Sequence, residues 1–147
     1  MKEKPRKANA KFMSPFLISR IVVPAFLKSM IILILFFTMN NAFGSAVATT
    51  MAFITLSFAE LLFAFVIRSD RKSILSIGLF TNPQLLIGVT AIVLVQLCVI
   101  FIPSIGNIFD LVPLNTTLYV ASIGAAIGYM IIAEIAKQVI AKAFKVK

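Results

Sequence analysis

The sequence predicts an all-α fold: a polytopic membrane protein of four transmembrane helices with both termini on the cytoplasmic side. Three observations carry that reading. First, 61% of the 147 residues are hydrophobic, well above the roughly 45–50% of soluble domains. Second, the apolar residues fall into four stretches, each near the ~20 residues that a helical span requires. Third, the fourteen Lys and Arg all fall before the first stretch, in its opening turns, between the second and third, or at or beyond the end of the fourth. The other two connections carry none, so every cation sits on one side, which the positive-inside rule makes cytoplasmic.

Residues 1–14 form a basic cytoplasmic lead without a core-forming pattern. No compact apolar stretch with a small-residue cleavage site follows, so the lead does not read as a signal peptide. A four-helix transmembrane domain is expected over 15–143, and 144–147 form a basic tail. The first span is expected at 15–39. Arg20, Pro24 and Lys28 crowd its start, so SMIILILFFTM forms the deep part and Lys28 snorkels back toward the cytoplasmic interface. Pro24 loosens the first turns, and NNAFGS makes a tight external turn.

The second span is expected at 46–67, ending at the basic loop RSDRKS. Asn82-Pro83 opens a third span over 82–102 that Pro103 stops. The connection PSIGNIFDLVPLNTT is the longest ordered loop and carries Asp110. The fourth span covers 116–136 and continues as a basic helix into the cytoplasm. Within it Ala121, Gly124, Ala125 and Gly128 place small residues at a spacing that lets helices approach closely.

Composition also excludes chemistry. There is no His and only one cysteine, Cys98, which removes the commonest transition-metal ligand, the usual neutral-pH base and any disulfide framework. The net charge of +9 invites a nucleic-acid reading, but the placement of the cations favours anionic lipid headgroups, so no nucleic-acid partner is expected. No phosphate loop or nucleophile elbow is present. The chain is expected to hold no catalytic residues and no cofactor of its own.

Glu60 is the candidate site residue. It is the only acid in the second apolar stretch, and a carboxylate at membrane depth costs about 3 kcal/mol even on lenient insertion scales. It lies eight residues before Arg68, roughly 12 Å inside at 1.5 Å per residue. Ser57, one helical turn away, is a weaker candidate to share a cation. One carboxylate and one hydroxyl fall short of the six to eight oxygens of a calcium site, so most ligands have to come from elsewhere. The bland alternative is a protonated Glu60 that joins two helices by a hydrogen bond. Gln96 is expected to bond across helices, and Glu134 to pair with Lys137 or Gln138 near the interface.

In four blocks the chain resembles the last four transmembrane helices of a P-type cation-transporting ATPase of the bacterial calcium-pump type. MKEKPRKANAKFMSPFLISRIV looks like the approach to the seventh helix, with Pro5-Arg6 and Arg20 in place. TMAFITLSFAELLFAFVIRSDRKSIL looks like the eighth helix and its exit. NPQLLIGVTAIVLVQLCVIFIPSIGNIFDLVPL looks like the ninth helix, with Leu85, Gln96 and Pro103 in expected positions, and Glu134-x-x-Lys137 resembles the end of the tenth. Val66 departs from the Asn of many relatives, and Phe63 from a polar residue in some.

By that resemblance Glu60 matches the acid that supplies side-chain oxygen to one calcium site in two-site pumps. The position is often not acidic in plasma-membrane-type relatives, which leaves one or two ions per cycle open. The resemblance implies a support domain that braces the ion-binding helices, with calcium as the transported ion and the cell membrane as its place. ATP and magnesium belong only to domains absent from this chain. The implied partners are the lipid bilayer, the remaining pump helices and the cytoplasmic domains. The chain is then a fragment, a truncated product or a separately encoded subunit. Two alternatives stand beside this: a self-sufficient four-helix proton-coupled transporter, and a non-transporting membrane subunit.

Overall fold

A computed structural model describes residues 15–69, 76, 78 and 81–144. The basic lead, the tail from 145 and most of the loop after Ser69 lie outside the described residues, including Asp70, Arg71 and Lys72. Within them the chain is helical, without strands. The elements in order are α1 (Pro15–Phe43), α2 (Ser45–Val66), α3 (Pro83–Phe101), the short α4 (Pro103–Gly106), a 3-10 turn (Asn107–Phe109) and α5 (Thr116–Ala143). Four of these helices are long and apolar enough to cross a membrane: α1, α2, α3 and α5. Such runs become helices because hydrocarbon offers no partner for backbone N–H and C=O groups, so each helix satisfies its own.

The turn expected at NNAFGS is much shorter than six residues. Helix α1 continues through Asn40 and Asn41 to Phe43, and only Gly44 separates it from α2. Gly44 makes this possible: its φ of 87° lies in the left-handed region, where a side chain would be strained. Its N–H donates back to the Asn40 carbonyl and its own carbonyl accepts from Ala48, so Gly44 continues the backbone bonding of both helices through the reversal. Pro24 likewise leaves α1 unbroken and lies buried inside it.

Helices α1, α2 and α5 pack against one another, whereas α3 meets α2 along a much smaller strip. The core of the three-helix unit is Ala59, Val66, Ala126, Tyr129 and Ala133, flanked by Leu27, Ile31, Phe58, Leu62 and Met130. The buried stripe on α5 is Ser122, Ala126, Tyr129 and Ala133, with Gly124 exposed and Gly128 only partly covered. Within this chain the packed face of α5 is therefore the stripe through Ser122, Ala126, Tyr129 and Ala133 and not the face of the glycines. A Cβ added at Gly124 or Gly128 would meet nothing within 4 Å.

Polar bonds tie the unit together. Thr55 Oγ1 donates to the Ser122 carbonyl at 3.2 Å, and the Tyr129 hydroxyl donates to the Pro24 carbonyl at 3.3 Å. At the far end Thr50 Oγ1 accepts from the Val112 N–H at 3.0 Å, which fastens the α3–α5 connection onto α2. Asp110 closes the 3-10 turn there in the left-handed conformation, φ 53°, and Gly106 is required by a close approach, since a Cβ would lie 3.1 Å from the Val99 carbonyl. Side-chain N-caps start the last two spans: Asn82 accepts from Leu85 N–H, and Asn115 from Leu118 N–H. The start of α1 and the end of α5 meet, with the Phe16 and Phe144 rings 5.8 Å apart.

Candidate functional site

Glu60 stands on α2 six residues before its end, about 9 Å along the helix at 1.5 Å per residue. Its carboxylate has two sides. On one, Lys28 of α1 brings its ammonium into a direct ion pair with Glu60 Oε1. The other opens onto a groove of about 530 Å³ between α2 and α3. Ser57 and Ala64 line that groove from α2; Gln84, Gly88 and Gln96 line it from α3. The Glu60 side chain is 54% exposed and that of Lys28 18%, so the acid faces the open space and the ammonium is largely enclosed. The Phe63 ring, 6.0 Å from Lys28 Nζ, adds a face at cation–π range.

Helix geometry brings Ser57 and Glu60 together as the sequence predicts, three residues apart on the same wall. Lys28 is a correction. Its ammonium ends on Glu60, not at the cytoplasmic interface, because an opposite charge at depth is a better partner than a long reach to water. The sequence held the signal. Lys28 lies sixteen residues before Gly44 and Glu60 sixteen after it, so an antiparallel hairpin turning at one residue sets both at the same depth. The expected longer turn conceals this equality.

Gln96 is a second correction. It is 8% exposed and lines the groove, yet its buried Nε2 finds no hydrogen-bond partner among the described residues. The expected cross-helix bond is missing because α3 stands off from α2. Glu134 does pair with Lys137, Nζ to Oε2 at 2.8 Å, and accepts from Gln138 at 3.1 Å. Lys137 is 4% exposed and also donates to the Val66 carbonyl at 3.1 Å, so a cation on α5 caps the C-terminus of α2. No three acids or cysteines cluster among the described residues. Among the described residues, the side chains lining the groove thus offer a cation one carboxylate, one hydroxyl and two amides, short of a full oxygen shell.

Comparison with known proteins defines the class. Residues 1–139 match the family described as cation transporting ATPase, C-terminus, and the chain belongs to that family. A calcium-transporting ATPase 1 of Bacillus cereus is 40% identical, over 74% of this chain and 14% of the relative. The calcium-transporting ATPase type 2C member 2 of Mus musculus is 30% identical, over 93% of this chain and 15% of the relative. A calcium-transporting ATPase 1 of Yarrowia lipolytica is 30% identical, over 75% of this chain and 12% of the relative. The chain thus spans about one seventh of the length of such relatives.

Proposed function

We propose that this chain is the membrane support module of an ATP-driven cation pump, with calcium as the transported ion. The observation that carries the reading is the Glu60 carboxylate, held at membrane depth on the wall of an open groove beside Ser57 and Gln96. A membrane carboxylate facing a cavity is the usual mark of an ion pathway. The three-helix unit of α1, α2 and α5 supplies a rigid wall. On this reading other helices of the pump bring the missing oxygens to the groove. ATP and magnesium act in the parts of the pump outside this chain.

The same reading puts the starts of α1 and α3 and the ends of α2 and α5 on the cytoplasmic side of the cell membrane, where the Lys and Arg lie. Replacing Glu60 by Gln in the complete pump is the direct test. The calcium concentration for half-maximal phosphorylation by ATP should rise about tenfold or more, the equivalent of 1.4 kcal/mol of lost ligand free energy. Unchanged calcium dependence would leave Glu60 a packing role alone.

A further inference from the structure

We infer that Lys28 is a tethered resident cation of the Glu60 site, an ammonium that the transported ion has to displace. The inference rests on the reading of Glu60 as a ligand and extends it to what sets the affinity. Three observations support it. The ammonium already holds the carboxylate in a direct ion pair. It arrives from α1, on the face of Glu60 away from the groove, and Lys28 is not among the groove-lining residues, so an ion can reach the acid from the groove while the pair is intact. The lysine stem starts at the same depth as Glu60 and is flexible, so it can retract along α1 toward the cytoplasmic interface.

Charge decides that the two cations alternate. Glu60 is the only acid lining the groove among the described residues. A divalent ion added beside an intact pair would stand next to the ammonium with no second acid of this chain to offset it, and like charges in juxtaposition repel. Release of the ammonium relieves that repulsion. Lys28 therefore raises the concentration of divalent ion needed to fill the site, and less so for a monovalent ion. A purely structural pair would instead hold α1 to α2 without reference to ions.

The test is the calcium dependence of phosphorylation in the complete pump for Lys28→Gln, Lys28→Arg and Glu60→Gln. Lys28→Gln is expected to lower the half-saturating calcium concentration about tenfold or more, since a competitor is removed. Lys28→Arg is expected to raise it at least about threefold, because a guanidinium can hold a carboxylate through two hydrogen bonds and is harder to dislodge. Opposite shifts from two substitutions at one position are not produced by a packing defect. If Glu60→Gln weakens calcium binding while neither Lys28 variant moves the half-saturating concentration, the resident-cation role is overturned and the ligand reading stands. If Glu60→Gln itself changes nothing, the ligand reading fails first. Should Lys28→Gln not fold, an unshifted Lys28→Arg alone overturns the inference.

Discussion

Two lysines in this chain end on groups that their sequence neighbourhood does not announce. Lys137 is the more enclosed of the two, held between the Val66 carbonyl and Glu134. Its replacement by Ala would strand a buried carboxylate and expose an unsatisfied helix end at once. Breaking one partner of a buried pair costs about 3–5 kcal/mol, so Lys137→Ala should markedly lower the melting temperature of the purified protein. Glu134→Gln keeps a polar acceptor for Lys137 and should cost less. Of these contacts the Glu134–Lys137 pair is legible in sequence, since i and i+3 share a helix face. The bond to Val66 is not, because it joins residues seventy-one positions apart and depends on how α2 lies on α5.

Helix–helix contact is where small residues matter, and the buried Ser122 and Ala126 of α5 lie two positions from the glycines. Ala126 and Ala133 are completely buried, whereas Gly124 is exposed and has open space around its missing Cβ. Ala126→Leu should therefore destabilise by about 1–3 kcal/mol through overpacking. Gly124→Ala should be neutral or stabilise by about 0.5–1 kcal/mol through the unfolded chain. Thermal melts of both variants in one detergent decide between the two faces, and a reversed order would return the contact to the glycines. A four-residue spacing of small side chains marks α5 as a packing helix. It does not mark the face, because Ser122-x-x-x-Ala126 and Gly124-x-x-x-Gly128 look alike until a partner is docked.

The whole molecule is a three-helix unit with a fourth helix set apart. That separation leaves Gln96 buried against a groove without a partner. Gln96→Leu should leave the stability of this chain unchanged or raise it, since an unsatisfied buried amide costs about 1–3 kcal/mol. In the complete pump the same substitution should weaken assembly, measured by thermal inactivation of phosphorylation. Orientation is testable at the same scale. With Cys98 replaced, a cysteine at Lys145 should react with a membrane-impermeant maleimide only from the cytoplasmic side, and one at Asp110 only from outside. The opposite pattern would invert the topology.

Span number and the clustering of basic residues to one side follow from the sequence alone, because both are carried by local composition: apolar runs of span length and the placement of fourteen cations. The single acid in α2 is equally plain, as is the start of the third span at Asn82-Pro83. Tertiary structure decided what those residues meet. A turn of one residue put Lys28 level with Glu60, the packing of α5 on α2 gave Lys137 its carbonyl, and the stand-off of α3 opened the groove and orphaned Gln96. The physical reason is common to all three. In an environment where every long helix satisfies its own backbone, sequence settles the helices. Which faces touch is left to side-chain fit and to the few polar groups that have no water to turn to.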